Sequence, residues 1–210
     1  RWDWEGGCKF LLSCRGECDI LLPVVLRQCI RACDGIGRHA GFRCCHLCEG
    51  FDMDFWMIAR QELKHDLLDI FSALGDLQYQ YDWVITDHDL WYAENCPEEV
   101  RRRWQWTGLL MDGTELTVHL SAGYVHFTQG GVLSAVPKGT QPCEVWNYEP
   151  YWEIENFGSP EYCFQTPLTQ LELICYDGYA WVLICVPAFS EQVKKVLPMA
   201  KTPDEFYHVH

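Results

Sequence analysis

The sequence predicts an α+β protein: a cysteine-rich helical N-terminal head over residues 1–50, then an acidic domain over 51–210. In that domain one long amphipathic helix packs on a mostly antiparallel β-sheet. Three observations carry this prediction. Segments with helical periodicity come first and strand-like runs follow, an order typical of α+β rather than doubly wound folds. Two Asp-Gly dipeptides between apolar runs have the form of tight hairpin turns. Eight of the 13 cysteines lie in residues 1–48, which sets the head apart from the rest.

The head is built around Asp19–Cys33. Asp19 is a capping residue, Pro23 is tolerated in a first turn, and Gly35 follows the end. Cys29 and Cys33 fall on its apolar line and are expected in the core. Cys14 and Cys18 precede this helix, and Cys45 and Cys48 follow a Gly-rich connection. Two short cysteine pairs separated by a few tens of residues match the ligand pattern of a structural zinc site. Zinc held by Cys14, Cys18, Cys45 and Cys48 is therefore the expected cofactor. Cys44 and His46 leave the ligand set ambiguous, and reduced thiols, disulfides or an iron–sulfur cluster compete with it.

Residues 52–74 form the predicted long helix, from a capping Asp52 to a terminating Gly75. Phe55, Trp56, Ala59, Leu63, Leu67, Ile70, Phe71 and Leu74 make one face. His65, Asp66 and Asp69 lie on the other, where a metal or acid–base site competes with ordinary surface, the more frequent case on a solvated helix face. Strands are expected at 78–86, 89–93, 104–111, 114–120, 124–128, 132–136, 171–176 and 179–186. A short helical turn follows Pro97. Ser190 is expected to cap a helix running to Leu197, and Thr202-Pro203-Asp204-Glu205 has the form of a capping box.

If Asp112-Gly113 and Ala122-Gly123 both close hairpins, Trp106, His119 and His126 share one face of three adjacent strands. Paired imidazoles suit general acid–base or metal chemistry, although histidines on a strand face are more often surface. Asp87-His88-Asp89 carries similar groups, with a polar loop as the simpler account. Residues 137–167 hold five of the ten prolines and seven aromatic residues, with five glutamates against one lysine. Such a segment is an edge strand or an ordered loop. Its Trp146, Tyr148 and Trp152, with Trp106, His119 and His126, are the candidate binding residues.

Composition excludes several function classes. A formal charge of -14 argues against a general grip on nucleic-acid backbone. No apolar run approaches the roughly 18 residues of a membrane span. The odd cysteine count, and Cys175 and Cys185 inside apolar runs, point to reduced thiols and a cytoplasmic location. No signal peptide is recognisable, while the start at Arg1 leaves a processed or truncated precursor open. The chain carries no G-x-S-x-G, Walker-type, G-x-G-x-x-G or H-E-x-x-H motif.

The expected function is an intracellular acidic module that docks a basic protein partner, since opposite charge speeds encounter. Acidity, the α+β order and the lack of a catalytic motif resemble small bacterial immunity or inhibitor proteins, in composition and element order only. Two alternatives stand beside it. One is a hydrolytic enzyme using His119, His126, the Asp87–Asp89 segment or a metal; the other is a metal- or redox-sensing regulatory module.

Overall fold

A computed structural model describes residues 53–106, 108–145, 164–166 and 168–208. The predicted head, with Cys14, Cys18, Cys45 and Cys48, lies outside the described residues. So do Trp146, Tyr148 and Trp152. The described part is α+β, with a mostly antiparallel sheet.

Strand β1 spans Asp54–Ala59 and is followed by a 3-10 turn, Arg60–Glu62, and helix α1, Leu67–Ala73. After a second 3-10 turn, Leu77–Gln80, come β2 (Asp82–Thr86), β3 (Leu90–Tyr92), α2 (Glu98–Trp104), β4 (Leu109–Asp112) and α3 (Gly113–Ser121). Then follow β5 (Val125–Phe127), β6 (Gly131–Val136), α4 (Pro142–Val145), β7 (Leu171–Tyr176), β8 (Ala180–Cys185), α5 (Pro187–Val196) and α6 (Pro203–Tyr207). The main sheet has six strands in the order β1-β8-β7-β6-β2-β4, each neighbouring pair antiparallel. Strands β3 and β5 pair separately as a two-stranded ribbon. No helix among the described residues is long and apolar enough to cross a membrane.

Both faces of the sheet are covered. One core gathers Trp56, Trp83, Leu133, Leu173, Trp181 and Leu183 with side chains of α1, α2, α3 and α5. The opposite face packs Met57, Val132, Ile174, Val182 and Ile184 against Phe164 and Phe206. Strands buried on both sides need no polar alternation, which is why β8 is a continuous apolar run and β6 is broken only by Ser134, with every residue of both buried. Glu172, fully buried in β7, accepts hydrogen bonds from Ser134 Oγ (3.1 Å) and from the Gln165 and Thr166 backbone N–H groups (3.0 and 3.1 Å). These bonds pin the returning segment 164–166 to the sheet.

The predicted long helix over 52–74 is not formed. Residues 54–59 are instead the edge strand β1, paired along its length with β8. Trp56, Met57 and Ile58 are consecutive and buried, Trp56 and Ile58 toward one core and Met57 toward the other. A run buried on two faces cannot be told from a helix by periodicity alone. Only α1 keeps the helical stripe, with Leu67, Ile70 and Phe71 buried. Between them Asp66 takes φ 55°, ψ −130°, a conformation no helix accommodates.

Asp66 is held there by its side chain. Arg60 donates to it from Nε (3.0 Å) and Nη2 (2.5 Å), and Trp181 Nε1 donates to Oδ1 (2.6 Å). Arg60 Nη1 also reaches the Thr128 and Gly178 carbonyls at 3.4 and 3.2 Å and Cys175 Sγ at 3.7 Å. Burial pushes the thiols of Cys175 and Cys185 up to about 11 and about 12, as for small buried hydrophobes.

The two Asp-Gly dipeptides have different fates. Asp177-Gly178 turns the β7–β8 hairpin: with φ of 49° and 71° they lead a three-residue loop, 177–179, that Tyr179 N–H closes onto the Tyr176 carbonyl (3.2 Å) before Tyr176 pairs with Ala180. Asp112-Gly113 does not make a hairpin, so no strand runs over 114–120. The Asp112 carboxylate accepts from the N–H groups of Thr114 (2.7 Å) and Glu115 (3.1 Å) and caps α3. Gly113 is there for space: a Cβ would sit 1.6 Å from the Gln78 carbonyl oxygen, which also accepts from Trp83 Nε1 at 3.1 Å. Ala122-Gly123 ends α3, rather than turning between strands.

Other elements agree more closely. The turn after Pro97 is α2, and β5 and β6 fall at 125–127 and 131–136. Thr202 and Glu205 form the reciprocal capping box of α6. Ser190 is inside α5 rather than at its cap, because Pro187 already opens the helix, and its hydroxyl accepts from Trp56 Nε1 at 3.0 Å. Gly113→Ala is expected to cost about 2–3 kcal/mol through overpacking against Gln78. Urea unfolding would show this as a lower midpoint at unchanged slope.

Candidate functional site

The β3–β5 ribbon presents one face to the core and one to solvent. Trp91 pairs with His126, between Leu90–Phe127 and Tyr92–Val125. Backbone bonds continue the ladder, from Asp89 N–H to the Gly130 carbonyl, Thr128 N–H to the Asp89 carbonyl and Ala93 N–H to the Tyr124 carbonyl. With side chains alternating at period two, Leu90, Tyr92, Val125 and Phe127 turn inward against the core. Asp89 and Trp91 share the outer face with Thr128 and His126. The Trp91 indole is 54% exposed, and its ring centroid lies 5.3 Å from that of the exposed His126.

The stretch of chain that carries Trp91 is rich in carboxylates. Residues 65–100 contain nine Asp and Glu and no Lys or Arg. Asp89 and Glu94, on either side of Trp91, are both exposed. Thr128 Oγ1 donates to Asp89 Oδ2 at 2.5 Å. The three arginines of α2 are engaged elsewhere. Arg101 lies over the Tyr92 ring (5.6 Å) and donates to the Ala93 and Cys96 carbonyls. Arg102 pairs with Glu98, and Arg103 with Glu115 and the Leu110 carbonyl.

Beneath the ribbon is a column of rings. Phe127 meets Trp181 and Trp104 edge-on, at 5.4 and 6.1 Å between centroids. His88 stacks on Trp104 at 5.9 Å, and Trp104 Nε1 donates to His119 Nδ1 at 2.9 Å. That bond makes Nδ1 an acceptor, so the ring is neutral with its proton on Nε2. Burial pulls both imidazoles below their usual range. Among the described residues neither ring is hydrogen-bonded to a carboxylate, and His88 Nε2 has no hydrogen-bond partner. A neutral base without an orienting acid is poorly suited to catalysis, and the column acts as packing.

Comparison with known proteins gives no match to a family model, a curated protein or a solved structure.

The predicted constellation of Trp106, His119 and His126 is not assembled. His119 is buried on helix α3 and bonds Trp104, whereas Trp106, 68% exposed, lies just past α2. His126 remains in the candidate site, on the ribbon, but its partner is Trp91. The Asp87–Asp89 segment is divided by the chain's course: Asp87 takes φ 44°, His88 stacks inward and Asp89 faces out. His65 Nδ1 is 3.2 Å from Asp69 on an exposed helix start. Burial works against the charged Asp69, but N–H bonds from His65 and Lys64 outweigh it and hold its carboxyl below the usual range. Among the described residues no group of three His, Cys, Asp or Glu is placed to hold a metal.

The pattern of its sequence neighbours does not mark Trp91 as a site residue. The signal that marks it is the run of nine carboxylates without a cation in which it sits.

The depressed imidazoles set a pH dependence. A folded-state pKa below the unfolded value near 6.5 means that the unfolded chain binds protons first as pH falls. His88 and His119 therefore contribute stability that is fully present above about pH 6.5 and lost on acidification through their lowered folded-state values. Thermal melts from pH 8 to pH 5 should show this loss, and His119→Gln should flatten it.

Proposed function

We propose that the acidic domain is a protein-binding module that docks a basic protein surface, in the manner of an immunity or inhibitor protein. One observation carries the reading: an exposed indole, Trp91, stands on a packed ribbon within a stretch of nine carboxylates that no lysine or arginine interrupts. Exposed aromatic anchors supply much of the energy of protein interfaces, and a surrounding field of one sign steers the oppositely charged partner and rejects phosphate backbones. The neutral, packed imidazoles favour binding over hydrolysis. The buried, high-pKa thiols of Cys175 and Cys185 suit a reducing compartment, and cytoplasmic location belongs to the same proposal.

The test is retention of partners from a cell extract on immobilised full chain, wild-type against Trp91→Ala. Retained proteins are expected to be basic, to leave at about 0.5 M salt as screening shortens the electrostatic range, and to bind Trp91→Ala at least about tenfold more weakly. Retention without basic bias, or unchanged by the substitution, would falsify the reading.

Structural zinc on Cys14, Cys18, Cys45 and Cys48 is proposed from spacing alone. Protein purified without chelator or metal-affinity steps is expected to carry one zinc per chain by elemental analysis, lost in Cys45→Ser.

A further inference from the structure

We infer that the outer face of the β3–β5 ribbon is an arginine subsite, in which Trp91 stacks on a guanidinium of the partner while Asp89 accepts its N–H groups. This rests on the docking reading and names the chemistry that the partner must present. Asp89 and Trp91 are two positions apart on one side of the extended ladder, a Cα separation of about 6.6 Å at strand rise. That spacing lets one planar cation lie over the indole with an edge turned to the carboxylate.

Both groups are set in advance of binding. His126 lies beside Trp91 across the pair, at 5.3 Å between centroids and 41° between planes, and the indole remains 54% exposed. The Thr128 hydroxyl holds Asp89 Oδ2, while Oδ1 accepts no hydrogen bond among the described residues. A carboxylate already oriented loses less freedom when a ligand arrives. The next outward position along the ladder is Ala93, whose methyl group leaves room beside the indole, and exposed Glu94 follows it.

The cation that fits best is guanidinium rather than ammonium. Guanidinium is planar, weakly hydrated and carries donors in a fork, so it stacks on an indole and bonds a carboxylate together. Lysine offers a compact, strongly hydrated charge that gains less from the ring. The chain's own nearby guanidiniums do not occupy the place: Arg101 is committed to Tyr92 and two backbone carbonyls, Arg102 to Glu98 and Arg103 to Glu115. A nucleobase would also stack on Trp91, but its phosphates would meet the exposed carboxylates of Asp89 and Glu94.

The test titrates the full chain at low salt with two capped peptides, Gly-Arg-Gly-Arg-Gly and Gly-Lys-Gly-Lys-Gly. Readouts are the ring resonances of His126 and the Trp91 indole N–H, assigned by substitution. The arginine peptide is expected to shift both and to bind about three- to tenfold more tightly than the lysine peptide. Trp91→Ala should abolish that preference, and Asp89→Asn, which keeps an oxygen for Thr128, should weaken the arginine peptide by about fivefold. Both positions are on the surface, so circular dichroism should show the fold unchanged. Equal affinity of the two peptides at these resonances overturns the arginine subsite and leaves docking of a basic partner standing. Absence of shifts with either peptide also overturns it, and the docking reading is then decided separately by salt-sensitive retention of basic proteins.

Discussion

The pairing of Arg60 with Asp66 is the contact on which the rest of the structure depends. One guanidinium closes a bidentate bond to a carboxylate, spans two backbone carbonyls and lies over the Trp181 ring at 5.9 Å. It thereby joins the end of β1, the start of α1, the β7–β8 turn and the segment between β5 and β6. These parts are far apart in the chain; Asp66 and Trp181 differ by 115 positions. A charge-assisted fork fixes direction as well as distance. The strained Asp66 backbone, a cost of about 1–3 kcal/mol, persists because three side-chain donor groups converge on its carboxylate.

The same contact supports the ribbon. Arg60 Nη1 bonds the Thr128 carbonyl, and the hydroxyl of Thr128 bonds Asp89 on the outer face. Trp181, anchored to Asp66 through its indole N–H, meets Phe127, and Phe127 meets Trp104. Thus the ribbon's two faces are held by one connected set of rings and hydrogen bonds. Its imidazoles illustrate the division of labour. His119 is spent on Trp104 inside, in neutral form, while His126 is outside beside Trp91. The inner face is packed against the core, and the outer one leaves Trp91 and His126 exposed.

Much of the fold was legible from local chemistry. The capping box of Thr202 and Glu205, the Asp177-Gly178 hairpin, the helix after Pro97 and the doubly buried β6 and β8 all rest on residues within a few positions of one another. The failures share another property. Asp112-Gly113 has the same dipeptide as Asp177-Gly178, yet it starts a helix, because Asp suits an N-cap as well as a turn and because Gly113 must lie against the Gln78 carbonyl. Once that turn is a cap, the row of Trp106, His119 and His126 dissolves. For the site, His126 was legible as a candidate but its partner was not, since the pairing with Trp91 depends on a register across 35 residues.

By itself the sequence determined the excess of carboxylates, their concentration in residues 65–100, the α+β order, the local caps and the burial of the apolar strands. These follow from composition, side-chain type and short-range backbone preference. Only the tertiary structure decided that residues 54–59 are a strand, that His119 faces an indole on a helix, and that Trp91 stands exposed between Asp89 and Glu94. Each of those outcomes turns on contact between distant segments: β1 with β8, α3 with α2 and the Gln78 turn, β3 with β5. An apolar run satisfies helix and strand equally until a partner surface covers it, and a ring becomes core or surface only when the chain returns to bury one side of its ribbon.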